Sequence, residues 1–184
     1  IVGFIGENGA GKSTTIKAIL GLVPADQGEI TVLEQKIAGE TADKKTNEKW
    51  REQISVVFDE CNFSNELKIR NINSFMKNIY RTWNENVFME YTQKFSLPVD
   101  KKVKDFSKGM KMKLSIAVAL SHDSRLLILD EATSGLDPVV RNEILDIFRE
   151  YVVDERRTIF LSSHITSDIE KIADYILLIH QGKI

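Results

Sequence analysis

Nine residues near the start of the chain, Gly6-Glu7-Asn8-Gly9-Ala10-Gly11-Lys12-Ser13-Thr14, follow the spacing G-x-x-x-x-G-K-[ST] of a phosphate-binding loop. Glycines at Gly6, Gly9 and Gly11 let the backbone turn sharply and aim N–H groups at phosphate oxygens. A helix opening at Lys12 adds the positive end of its dipole. Lys12 supplies a mobile charge for the β- and γ-phosphates, and the Ser13 hydroxyl can ligate Mg²⁺. These residues predict a nucleoside triphosphate site with Mg²⁺. Far downstream, the apolar run Leu126-Leu127-Ile128-Leu129 ends in Asp130-Glu131. A buried strand that ends in an acid delivers that acid to the carboxyl edge of a sheet, where ligands of open α/β sheets sit. Asp130 is then the natural Mg²⁺ partner, and Glu131 can orient and deprotonate an attacking water.

The elements that must position these groups are legible as short apolar strands alternating with helices. Residues 1–5 read as a strand running into the glycine loop, 12–20 as a helix closed by Gly21, and 28–33 as a strand of a hairpin. Residues 40–52 are polar and read as loop or solvent-facing helix, and 54–58 as a buried strand. In the middle, Ile69, Ile72, Phe75, Met76, Ile79, Tyr80 and Trp83 recur at helical spacing, as do Val87, Phe88, Tyr91 and Phe95. Both sets are expected to pack the core of a small helical subdomain, followed by a helix over 110–121. The α/β alternation then resumes, with strands at 126–129, 158–162 and 175–179 and helices at 139–153 and 166–174. Ile144, Leu145, Ile147 and Phe148 form the apolar side of the first of these helices. The pattern implies a mostly parallel sheet covered on both faces.

Bulk properties narrow the classes. The 184 residues fit one domain with room for a subdomain, and 42% hydrophobic content supports a real core. A formal net charge of −2 gives no electrostatic case for a nucleic-acid partner. The single cysteine, Cys61, cannot form an internal disulfide and suits a reducing, cytoplasmic setting. No apolar run approaches the ~20 residues needed to cross a bilayer. The first residues already read as a strand, and the last as a turn leading towards another, so the chain is expected to be a fragment truncated at both ends.

Further residues complete a recognisable order. Phe106-Ser107-Lys108-Gly109-Met110 opens a lysine-rich helix. Ala132-Thr133-Ser134-Gly135-Leu136-Asp137-Pro138 follows directly on Asp130-Glu131, and His164 follows a strand. Together with the phosphate loop, this set resembles the ATP-binding cassette (ABC) ATPases over essentially the whole chain. The resemblance implies a P-loop NTPase core with a mostly parallel sheet, a short antiparallel β section and an inserted helical subdomain. Residues 1–59 and 122–184 would be the catalytic core, and 60–121 the helical part. It implies that two such domains stack head to tail, as a homodimer or heterodimer, around two ATP molecules. Ser107 and Gly109, in the family's signature, would then clamp the γ-phosphate held by the other domain. Asp137 falls in the family's D-loop. His164 matches its switch histidine, which contacts the γ-phosphate and the attacking water.

Departures from the pattern carry their own expectations. Lys108 and Met110 stand where Gly and Gln are usual, a variation associated with bacterial exporters whose membrane partner is a separate chain. Asp59 stands where the family usually has Gln, and is expected to ligate Mg²⁺ directly or through water. The resemblance implies an ATP-hydrolysing subunit of the exporter class that energises a separate transmembrane permease from the cytoplasmic face of the cell membrane. A non-transport ABC ATPase, ribosome-associated or of DNA-repair type, is the alternative. A nucleotide-gated binding module without turnover is a third reading, disfavoured by the intact Asp130-Glu131 pair. His122 and His180 match no motif and read as structural.

Overall fold

The computed structural model describes residues 1–38 and 50–184. Five parallel strands make the main sheet: β1 (Val2–Ile5), β4 (Ile54–Val57), β5 (Leu126–Asp130), β6 (Thr158–Ser162) and β7 (Tyr175–Leu178). Their order is β4-β5-β6-β1-β7. A two-stranded antiparallel sheet pairs β2 (Ile30–Val32) with β3 (Gln35–Ala38). The helices are α1 (Lys12–Ile19), α2 (Ile69–Ile79), α3 (Glu85–Lys94), α4 (Lys108–Ala119), α5 (Pro138–Tyr151) and α6 (Thr166–Ile172). A mostly parallel sheet, a short antiparallel section and a run of helices between β4 and β5 are the architecture that the motif order implies.

Side-chain alternation along the strands divides the core. Leu127 and Leu129 of β5, with Ile159 and Leu161 of β6, join the larger apolar cluster under α4, α5 and α6. Ile128 points the other way, into a smaller cluster with Ile16 of α1, Ile54 of β4 and Trp50. A period of two on strands buried on both faces produces this split. Most of the polar stretch at 40–52 lies outside the described residues. Its end, Trp50, is a fully buried core residue rather than part of a solvent-facing surface.

Two expectations about burial fail. Phe75 and Ile79 share the helical spacing of the α2 core residues, yet are 55% and 46% exposed. The buried face of α2 is Ile69, Ile72, Asn73 and Met76, and it admits the polar Asn73 because that side chain bridges Trp83 and Glu85. The sheet is also not covered on both faces throughout. All four residues of β7, which lies beside β1, are exposed, with Tyr175 at 72%. The helix expected over 110–121 begins two residues earlier, at Lys108, because Ser107 caps it by accepting from the Met110 N–H at 3.2 Å.

His122, just past α4, is buried and pins that helix to the sheet. The Ser55 hydroxyl donates to the Ala119 carbonyl at 2.6 Å, so it accepts from His122 Nε2 at 2.7 Å. The ring also stacks on Tyr80 at 3.9 Å. Burial pushes the His122 pKa down from 6.5 to about 4. Between those values the unfolded chain binds a proton that the folded chain refuses, so stability is lost as pH falls from 6.5 towards 4. Thermal unfolding of wild type and His122→Gln across this range checks the point. The melting temperature of wild type should fall more steeply than that of the variant, and parallel curves would show that His122 titrates normally.

Candidate functional site

All parallel strands point their carboxyl ends to one edge, and the residues singled out from sequence collect there. β1 ends in the glycine loop, β5 in Asp130 and Glu131, and β6 in the turn that carries His164. Asp59 follows β4. Two glycines of the loop are dictated by the backbone. A Cβ on Gly6 would lie 2.5 Å from the Ile179 carbonyl oxygen, a distance no packing adjustment of a side chain relieves. Gly11 sits at the N-cap of α1 with φ 114, open to glycine and strained for other residues. No side chain caps α1. Its first-turn N–H groups therefore face the cleft without an intrahelical partner, as an anion site requires.

Lys12 is only 6% exposed and folds back over the loop. Its ammonium donates to the Gly6 carbonyl at 2.8 Å and the Glu7 carbonyl at 3.3 Å, and lies 3.7 Å from Glu131 Oε1. A phosphate entering the loop would compete for this cation with neutral carbonyls and one carboxylate. Glu131 itself has φ 56, a left-handed conformation that costs about 1–3 kcal/mol for a non-glycine residue. Its N–H donates to the Ser162 carbonyl at 3.0 Å and its carbonyl accepts from Ser134 N at 3.0 Å, which holds the turn. The turn brings Glu131 Oε2 to 2.5 Å from His164 Nδ1. A carboxylate that orients an imidazole, beside a buried lysine, is an arrangement able to position and deprotonate a water.

The cleft that these groups share has a volume of about 340 Å³ and is bordered by Asn8, Gly9, Lys12, Ser13, Asp59, Glu131 and His164, among others. Larger cavities run along α3, about 690 Å³, and beyond the end of α4, about 490 Å³. Neither gathers a comparable set of reactive groups, so chemistry rather than size marks the site. Asp130 is 6% exposed, and its Oδ1 has no hydrogen-bond partner among the described residues. A buried carboxylate oxygen without a hydrogen bond, one residue before Glu131 of the cleft lining, suits a hard cation. No three His, Cys, Asp or Glu side chains gather as a metal site among the described residues.

The other predicted residues lie apart. Ser107 and Gly109 stand at the start of α4, outside the lining of this cleft but on either side of Lys108, which borders it. Asp137 caps α5, accepting from Val139 N at 3.1 Å and Val140 N at 3.0 Å. Two neighbours of predicted residues also border the cleft without having been singled out as site residues, Ser134 and Lys108. The Lys108 ammonium lies across Gly135, where a Cβ would sit 2.7 Å from it. The alternating strand signal could locate Ser134 only as part of a loop, and Lys108 only as the start of a helix.

Comparison with known proteins gives a consistent picture. The family model described as "ABC transporter" matches residues 1–134. The bacitracin transport ATP-binding protein BcrA of Bacillus licheniformis is 39% identical over 188 residues, covering 100% of this chain and 59% of its own length. The lantibiotic transport ATP-binding protein SrtF of Streptococcus pyogenes is 34% identical, covering 100% of this chain and 76% of its own. A solved structure of an ATP-binding subunit of an ABC transporter superposes with a TM-score of 0.87 at 29% identity, over 100% of this chain and 75% of the other. The chain thus spans about 59% of the length of the first of these relatives.

Proposed function

Because this chain belongs to the ABC transporter family, we propose that it binds ATP at residues 6–14, hydrolyses it to ADP and phosphate, and powers a separate membrane subunit. The observation that carries the reading is the convergence of Lys12, Glu131 and His164 on one cleft beside the uncapped end of α1, with Asp130 next to Glu131 at the end of β5. Lys12 leaves its carbonyl partners for the β- and γ-phosphates. The loop N–H groups of Glu7, Asn8, Ala10 and Thr14 and their neighbours cradle the remaining oxygens. Glu131 accepts the proton of the attacking water, and His164 holds Glu131 and reaches the γ-phosphate. Ser13 and Asp130, with Asp59 directly or through water, would hold Mg²⁺, which would supply charge neutralisation to the phosphates. Ser107, Gly109 and Asp137 serve the nucleotide of a second domain, in a homodimer or heterodimer closed by ATP and released by hydrolysis.

Transport is the class that relatives carry in their names, and Lys108 and Met110 favour export. Among the described residues no helix is long and apolar enough to cross a membrane. Transport would run through a separate permease, with this chain at its cytoplasmic face. The test is steady-state phosphate release by the complete protein, alone and with its co-purified membrane partner. Turnover that rises with the partner supports the reading; turnover indifferent to any membrane protein returns it to the non-transport alternative.

Asp59 provides a narrower check. Asp59→Gln keeps reach and removes charge, so the Mg²⁺ concentration for half-maximal turnover should rise. An unchanged Mg²⁺ dependence would remove Asp59 from the metal's surroundings.

A further inference from the structure

Asp168, in the first turn of α6, is 0% exposed, yet neither of its carboxylate oxygens has a hydrogen bond among the described residues. The cation paired with it is Arg141 of α5, whose Nε lies 3.9 Å from Asp168 Oδ2, short of contact. That Nε is likewise buried and without a hydrogen bond among the described residues. Arg141 is held instead by its Nη2, which donates to the Leu136 carbonyl at 3.0 Å. An ion pair buried this way, with its hydrogen bonds unmade, is a poor source of stability, and apolar residues of similar volume often serve at least as well. Buried polar groups left open in this manner call for a role other than packing.

The positions of the two ends supply one. Leu136 closes the loop that begins directly after Glu131. Asp168 lies four residues past His164 on the helix that this histidine precedes, with the intervening turn fixed by Ile165 N to Ser163 Oγ and Asp168 N to Ile165 O. Glu131 and His164 meet at 2.5 Å. The chain thus runs in a loop from Glu131 through the Leu136 carbonyl, Arg141, Asp168, the turn and His164 back to Glu131, with the 3.9 Å gap between Arg141 and Asp168 as its one link without a hydrogen bond among the described residues. Lys171 and Asn142, at 3.0 Å, and Arg149 and the Lys171 carbonyl, at 2.8 Å, tie α5 to α6 further along.

We propose that Arg141 and Asp168 are positioning residues that brace the loop after Glu131 against the helix after His164 and so set the approach of these two groups. The inference rests on the ATPase reading above. When the loop shifts, Arg141 carries the change to α6 through the charge facing Asp168 at 3.9 Å, because its rigid fork is bonded to the Leu136 carbonyl at the other side. The open Nε–H and carboxylate oxygens leave the pair room to tighten as the site closes.

The experiment compares the complete protein carrying Asp168→Asn with one carrying Arg141→Met and Asp168→Leu together, which removes the charges but keeps an apolar filling. Both should lower kcat by about tenfold or more, while KM for ATP stays within about twofold. The paired variant should melt no lower than wild type, so that loss of fold does not explain its slowness. Recovery of wild-type kcat in the paired variant would mean that the ion pair only fills space, and would overturn the proposal; so would wild-type kcat in both. The NMR resonances of the His164 ring in nucleotide-free protein need no turnover. They should move in both variants, and unmoved resonances overturn the brace even if the protein proves not to be an ATPase. Absence of phosphate release from wild type would instead sink the functional reading, leaving the ring resonances to judge the brace.

Discussion

Glu131→Gln lowers ATP turnover by about 10²- to 10⁴-fold, the range expected when a general base is removed. Its shape is nearly that of glutamate, so the left-handed turn at φ 56 and the reach to His164 are kept. What is lost is the charge that takes the proton of the attacking water. ATP binding should survive and tighten, because the variant also removes a carboxylate oxygen lying 3.7 Å from the Lys12 ammonium. That anion competes with phosphate for the cation and repels the γ-phosphate. Single-turnover phosphate release and equilibrium ATP binding, measured on the same preparations, separate the two effects. Turnover within about twofold of wild type would show that another group is the base.

Lys12→Ala acts at the earlier step. The ammonium makes charge-assisted contacts worth about 1.5–3 kcal/mol each, so ATP affinity should fall about 10- to 100-fold or more. Its removal also strips the Gly6 and Glu7 carbonyls of a donor and leaves Glu131 without its cation. Calorimetric titration with ATP in the presence of Mg²⁺ checks the change. Unchanged affinity would mean that the nucleotide binds elsewhere, and the metal-binding roles of Ser13 and Asp130 would fall with it. The contrast between the variants is diagnostic: one binds without turning over, and the other fails to bind.

Much of the site could be read from sequence because its parts are defined by local chain geometry. Spacing alone fixes a glycine loop that leaves a strand and turns into a helix at Gly11. An apolar strand ending in Asp130-Glu131 fixes which sheet edge receives the acids. Strand β6 was legible end to end because its apolar run is bounded by polar turns. The hairpin was harder. Its turn uses Leu33 and Glu34, both with positive φ, where Asn and Gly would have announced it. Burial was less legible than element type. Helical spacing puts Phe75 with Met76 and Ile72, yet which side of α2 faces the core depends on Asn73 finding Trp83 and Glu85. The exposure of β7 likewise depends on what packs over the strand, which no local pattern reveals. Arg141 and Asp168 lie beyond local reach for the same reason, since they meet only because α5 and α6 pack side by side.

Two sites facing each other across ATP are the central claim, and it rests on the likeness of Ser107 and Gly109, at the start of α4, to a signature that clamps the nucleotide of a second domain. The most direct test is the mass and nucleotide content of the complete Glu131→Gln protein held in ATP, by light scattering and by nucleotide release. The account predicts particles of two chains holding two ATP molecules, which fall apart when Ser107→Arg is added. Single chains that each hold one ATP, unaffected by Ser107→Arg, would contradict it.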